Sequence, residues 1–463
     1  MIPARIMAVP SLWKEYLVDN WQAILGTITF VIVILLLMTE WIHLTIVALL
    51  GSLFLVFSNI LTLTEAVEYI GRSHETLALF LGVMIFVRAF QPTKVFDYLA
   101  TQILILAKGN GKLLLLGIVA LTTPISALLP NATTVLLLAP LIPPIANDIG
   151  VDFIPLLTLM VFTANSAGLL TPFGDPVTFI VTDALNMTFI EYVTRLSLGG
   201  LIAIITVVVM LPWLFPRTWK VQLQNSEISQ LPHPTINHPK ILLTGGLIAT
   251  LMLVFFVIGE SLPVPVSPAA VALLGATLAL LLSHQSKIET VHEILRDVDW
   301  STLIFFMCMF VLIGGLEKTG VIRNLIGILN VLVGQNMVLG AVLLLLVSGF
   351  ISSVVPNIPL VVGMVPLLKE YVVQTGLGSA EILEPNFAGQ LPPVVLPLFY
   401  AMLFGSTLGG NGTIVGASAN LVAAGISAQY GHPISFHRFL HYGIPVTLCQ
   451  LLTTSLFVLG QFL

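Results

Sequence analysis

Long apolar runs alternate with short polar breaks along this chain, and the runs set the first expectation. Trp21–Met38, Trp41–Ile60, Leu113–Leu129, Leu198–Phe215, Ile241–Ile258, Pro268–Ser283 and Met337–Val355 are the main runs. Each is at or near the roughly 17–25 residues that carry a helix across a bilayer. None shows the alternating ten-residue segments of a membrane barrel. The pattern predicts an all-α polytopic membrane protein. The first run has no small-residue cleavage site behind it, so it reads as a retained span after a polar N-terminal segment, residues 1–20.

The breaks are more informative than the runs. One long polar stretch, residues 216–240, separates a first half (21–215) from a second (241–463). The halves repeat each other. At an offset of 226 residues, ETLALF (Glu75–Phe80) falls on STLIFF (Ser301–Phe306). At the same offset SALLPNATTVLLLAPL (Ser126–Leu141) falls on SSVVPNIPLVVGMVPL (Ser352–Leu367). The shared frame is Ser-x-x-x-Pro-Asn with a second proline nine residues after the asparagine. NSAGLLTPFGDPVTFIV (Asn165–Val181) and GGNGTIVGASANLVAAG (Gly409–Gly425) then align with the offset grown by 16, which sets Thr171 on Thr413 and Thr178 on Asn420. The polar Gln374–Gln390 insertion absorbs the difference.

Asn131-Ala132-Thr133 also fits the acceptor pattern for an N-linked sugar. Its twin, Asn357-Ile358-Pro359, keeps the asparagine and destroys that pattern, so Pro-Asn is the element that recurs. Paired interruptions of apolar helices in two halves point to a transporter site. Backbone freed from helical hydrogen bonds is tolerated at membrane depth only where it is buried or lines a cavity.

Composition agrees and excludes alternatives. The chain is 57% hydrophobic and 8% charged, against roughly 25% charged in soluble domains. The net charge of −5 and the absence of a basic stripe exclude a nucleic-acid partner. No His-Glu-x-x-His, Gly-x-Ser-x-Gly or nucleotide loop occurs, so neither metal nor nucleophile chemistry is set up and no enzyme is expected. Transport would run on gradients. Cys308 and Cys449 lie in apolar runs and read as core residues. His432, His437 and His441 lack a convergent acid or thiol and read as structural.

At the Pro-Asn and Gly-rich elements the chain resembles the ion transporter superfamily, which holds arsenite permeases, NhaD-type Na+/H+ antiporters, the P protein, and citrate and dicarboxylate carriers. GGNGTIVGASANLVAAGISAQYGHPISF (Gly409–Phe436) is similar to that superfamily's second-half signature, and FGDPVTFIV (Phe173–Val181) resembles its Gly-Asp-Pro-Pro-Asn element. The resemblance implies about 10–12 transmembrane helices in two inverted repeats, each with a re-entrant hairpin and a broken helix. Ion or substrate would lie between hairpin tip and break. Relatives in the antiporter-like branch place an acid before the tip asparagine; here Pro130 and Pro356 stand there, and Thr178 replaces the asparagine of the Gly-Asp-Pro-Pro-Asn element. Proton exchange needs buried acids, whereas positive helix ends beside uncharged groups suit an anion.

The expected function is therefore a secondary active carrier of a small inorganic or carboxylate anion, coupled to Na+ or H+. A Na+/H+ antiporter using Asp175 and an arsenite permease are the alternatives. Candidate ligand-contacting residues are Asn131, Thr133, Thr134, Asn165, Ser166, Thr171, Asp175, Thr178 and Asn357, with Asn411, Thr413, Ser418 and Asn420. Na+ is placed at Asn131, Asn357 and Asp175. No cofactor is expected beyond a coupling Na+ or H+. The partners are the lipid bilayer, a small ion or anion and, as a candidate, a second copy in a homodimer. The expected location is the cell (plasma or inner) membrane. Arg88 either snorkels or neutralises an anion path; Glu260 and Glu317 read as interfacial. Lys and Arg cluster sparsely at Lys94–Lys112 and Arg217–Lys240, which leaves orientation open.

Overall fold

The computed structural model describes residues 21–462, apart from positions 40, 108, 149, 223–235, 323–324, 326, 328–335, 385–386 and 388. The N-terminal segment and most of the polar linker lie outside the described residues. Within them, 8 helices are long and apolar enough to cross a membrane, and shorter apolar helices accompany them. Thr-x-x-Glu capping boxes start helices at Thr62, Thr188 and Thr290, where side chains satisfy the N–H groups that a helix start leaves open.

The repeat is visible element by element. Gly111–Ser126 and Asn131–Leu138 form a hairpin, matched by Met337–Ser352 and Asn357–Gln374. Phe153–Ala167 and Pro176–Ala184 form a broken helix, matched by Leu396–Gly409 and Ser418–Gln429. The apolar runs at 113–129 and 337–355 are long enough to span, yet both turn back at a Pro-Asn tip. Proline at the tip has no N–H to continue a helix, and at about −50° its φ already suits the start of a new one. With each hairpin returning to its own side, a half crosses five times. In the first half the crossings are Trp21–Thr39, Leu44–Phe57, His74–Phe90, the broken helix and Phe189–Leu214.

An odd number of crossings inverts the second half, and contacts at the two faces agree. Gln22, opening the first helix, donates to the Asn59 carbonyl at 3.5 Å. That face also holds Lys318 Nζ at 2.6 Å from Glu65. Asn237, just before the first helix of the second half, donates its N–H to the Thr93 carbonyl at 3.0 Å. This opposite face holds Arg88, paired with Glu289 at 2.7 Å and Asp297 at 2.6 Å. Arg88 thus ties the first half to the second.

The halves interlock. His74–Phe90 packs along Pro268–Ser286, with Gly82 so close to Ala272 that a Cβ would lie 2.6 Å from its carbonyl carbon. Asn131–Leu138 packs on Ser418–Gln429, and Pro176–Ala184 packs on Asn357–Gln374. Each hairpin therefore rests on the other half's helix beyond its break. The two broken helices form the centre, with every residue of Phe153–Ala167 and of Leu396–Gly409 buried, whereas Pro239–Ile258 lies at the periphery.

Candidate ion and substrate site

Two clamps hold each hairpin tip against its broken helix. Ser126 Oγ donates to the Ala164 carbonyl at 2.9 Å, and its twin Ser352 donates to the Ser406 carbonyl at 2.5 Å. The Thr171 hydroxyl donates to the Ala127 carbonyl, and its twin Thr413 donates to the Ser353 carbonyl. Thr171 and Thr413, candidates for ligand contact, therefore spend their hydroxyl protons on holding the tips. The clamps close only because the backbone strands of each break cross without side chains. A Cβ on Gly174 would lie 2.6 Å from the Ser126 carbonyl oxygen and 2.8 Å from Gly168 Cα. A Cβ on Gly416 would lie 2.7 Å from the Gly410 carbonyl oxygen.

Between the breaks lies a buried polar chain drawn from both halves. Asn131 Nδ2 donates to Asn165 Oδ1 at 2.9 Å and to Asp175 Oδ2 at 2.7 Å. Asn165 Nδ2 donates to Asn411 Oδ1 at 2.9 Å and to Asn420 Oδ1 at 3.0 Å. Asn411 Nδ2 donates to Gln450 Oε1 at 2.9 Å, and Gln450 Nε2 donates to Ser166 Oγ at 2.7 Å. Asn420 Nδ2 donates to the carbonyls of Gly410 and Thr413, both at 2.7 Å, which are freed by the break. All of these side chains are buried. Six of the candidates, Asn131, Asn165, Ser166, Asp175, Asn411 and Asn420, are thus brought together.

Asp175 caps a helix and also joins the polar chain. Its Oδ1 accepts from Val177 N at 2.8 Å, closing the start of Pro176–Ala184, while Oδ2 faces Asn131. Thr178 completes the capping box and donates to the Pro172 carbonyl at 3.0 Å, so it supports the break. Among the described residues no cationic side chain hydrogen-bonds to the cluster, and Asp175 is its one ionisable member.

The other candidates fall elsewhere. Thr133 is half-buried and outside the chain of amides. Thr134 is fully buried, and its hydroxyl has no partner among the described residues. Asn357 is 4% exposed and makes no side-chain hydrogen bond among the described residues. Ser418 is exposed at the first turn of its helix. The His432 ring packs edge-on to Phe153, with centroids 5.8 Å apart. Gln450 was not among the candidates. Its signal was a lone amide in the last apolar helix, where membrane-buried polar groups are costly.

Two inverted repeats whose hairpin tips meet broken helices at a buried polar chain define a membrane transporter. Comparison with known proteins makes the class specific: the chain belongs to the citrate transporter family, CitMHS, which it matches over residues 34–384. It is 64% identical over 442 residues to the uncharacterized transporter slr0753 of Synechocystis sp., covering 96% of this chain and 98% of that one. It is 28% identical over 548 residues to the P protein of Homo sapiens, covering 98% of this chain and 63% of that protein. The fold is similar to that of the Alcanivorax borkumensis YdaH transporter, with a TM-score of 0.56 at 11% identity, covering 89% of this chain and 88% of that chain.

Proposed function

We propose that this transporter carries a small inorganic or carboxylate anion, driven by a Na+ or H+ that binds at Asp175. The observation that carries the reading is the Asn131–Asp175 contact, which puts the cluster's carboxylate against a hairpin tip. The Asn131 amide sits between Asn165 Oδ1 and Asp175 Oδ2, at 2.9 and 2.7 Å. Rotating that amide by half a turn gives up the bond that its Oδ1 accepts from the Ala132 N–H at 2.9 Å and brings a third oxygen to the same point, creating an oxygen-lined cation site; a proton on Asp175 achieves the same neutralisation. Four helices start at the two tips and the two breaks, at Asn131, Pro176, Asn357 and Ser418. Their N-terminal dipole ends favour negative charge, and one carboxylate does not offset all four.

The Asp175 carboxylate also supports a second reading, Na+/H+ exchange without an anion. Proteoliposomes separate the two. Uptake of labelled citrate, succinate, sulfate, phosphate or arsenite is measured under an imposed Na+ or H+ gradient, for the native protein and Asp175→Asn. Gradient-driven uptake that loses its ion dependence in Asp175→Asn is the expected result. Ion-dependent uptake that survives this substitution overturns the coupling role. Na+-driven proton release with no uptake of any labelled compound establishes exchange instead.

A further inference from the structure

The two breaks share a backbone and differ in chemistry. Asp175 and Ala417 are equivalent by the repeat and cap their helices with nearly the same backbone angles, φ −146° and ψ 139° against φ −145° and ψ 146°. In the first half the Asp175 carboxylate and Thr178 hydroxyl satisfy the backbone around the helix start. In the second half Ala417 offers a methyl group, and no side chain caps the twelve-residue helix Ser418–Gln429. Among the described residues the N–H groups of Ser418 and Ala419 make no hydrogen bond, while the Asn420 N–H donates to the Ala417 carbonyl at 3.1 Å.

Among the described residues, two unpartnered polar side chains stand at the second half's equivalents of a bonded pair in the first. Asn131 and Asn165 bond to each other in the first half. Their twins are Asn357, 4% exposed and without a partner, and Thr407, fully buried with an unpartnered hydroxyl. Thr407 is unusual among the buried hydroxyls on the broken helices. Thr158, Thr163 and Ser166 each bond the carbonyl four residues back in their own helix. Thr407 declines that bond, so its hydroxyl is free for something else. Ser418 is exposed, which leaves the first turn reachable from outside the core.

We propose that the halves divide the work, and that the second break binds an oxyanion group of the substrate. Asn357 Nδ2, the Thr407 hydroxyl and the N–H groups of Ser418 and Ala419 are its donors. All are neutral donors beside a positive helix end, and none is a carboxylate, so the set suits a carboxylate, phosphate or sulfate oxygen rather than a cation. The coupling ion is left to Asp175 alone. This rests on the anion-carrier reading above.

The test compares anion and cation responses in the purified full-length protein. Thermal stabilisation is titrated with citrate, succinate, sulfate and phosphate, and separately with Na+ and pH. Ala417→Asp, which restores the first half's acid, is expected to weaken anion affinity about tenfold or more while the Na+ and pH response persists. Thr407→Val is expected to weaken anion affinity about five- to tenfold, with Thr407→Ser restoring it to about twofold of native. Asp175→Asn is expected to do the reverse, removing the Na+ or pH response and sparing anion affinity. If Ala417→Asp and Thr407→Val keep native anion affinity while uptake still needs Asp175, this assignment falls and the carrier reading stands. If no anion stabilises the protein or is taken up, both fall.

Discussion

The side-chain amide of Asn131 donates to the carboxylate of Asp175 across 2.7 Å, joining a hairpin tip to a helix break 44 residues later in the chain. Both groups are buried, so the bond matters for stability as well as for coupling. Replacing Asn131 by Ala leaves Asp175 Oδ2 without its donor, at a cost of about 1–3 kcal/mol. The effect should shrink in an Asp175→Asn background, because partners in one network are not additive. Denaturation midpoints of the two single variants and the double variant check this, and full additivity would show that the residues act independently.

The crossing of backbones at the breaks makes a second prediction. Gly174→Ala and Gly416→Ala each drive a methyl group into a carbonyl oxygen at 2.6 and 2.7 Å. Overpacking of this kind costs about 1–3 kcal/mol or more, and here the obstacle is backbone. Gly246→Ala is the control, since nothing lies within 4 Å of its added Cβ. Loss of folded yield in the first two variants with a native third is the expected pattern.

Arg88 supplies a third. It joins Glu289 and Asp297 from the other half, and its side chain is 15% exposed. Arg88→Gln should destabilise by about 1.5–3 kcal/mol, the range for hydrogen bonds to charged groups. Arg296→Gln, on a side chain 67% exposed, should change little, as surface pairs do. Thermal unfolding of both variants under one set of conditions decides it; equal effects would deny Arg88 its bridging role.

Membrane orientation follows from the faces. Lys94, Lys112, Arg217, Lys220, Lys240, Lys287, Arg296 and Arg438 flank helix ends on the Arg88 face, whereas Arg72, Arg195, Lys318 and Lys369 lie towards the Glu65 face. Positively charged short loops stay in the cytoplasm, so the Arg88 face is expected to be the cytoplasmic one. An impermeant thiol reagent on intact cells should label Glu68→Cys and spare Lys220→Cys. The reverse labelling would invert the assignment.

A pH effect is expected at the Glu65 face. A hydrogen bond from Lys318, with further bonds from Thr62, holds the Glu65 carboxyl at about 2, below its usual 4.5. A depressed carboxyl contributes stability that is present above its unfolded pKa and is lost as pH falls through the folded one. The difference in unfolding temperature between the native protein and Glu65→Gln should therefore be full near neutral pH. It should close between pH 4.5 and about 2. A difference that stays constant across that window would mean the carboxylate charge is not what matters.

The sequence by itself determined the class and the frame. Apolar runs demand a bilayer whatever they pack against, and proline and glycine act locally, so the Pro-Asn tips and Gly-rich breaks could be placed residue by residue. The offset of 226 growing by 16 recurs in the hairpins and broken helices. Even the inversion follows once the hairpins are recognised as returning to their own side.

Only the tertiary structure decided which polar groups meet. Asn165 reaches Asn411 and Asn420 across 246 and 255 residues, and Gln450 reaches Ser166 across 284. Helices that are apolar on every side carry no stripe to say which face turns inward. The spending of Thr171 and Thr413 on clamps, the exposure of Ser418 and the solitude of Asn357 were therefore not readable along the chain. Nor was the pairing of Arg88, whose partners lie 201 and 209 residues away. A buried polar group needs a partner, but the sequence does not say which one; packing chooses it.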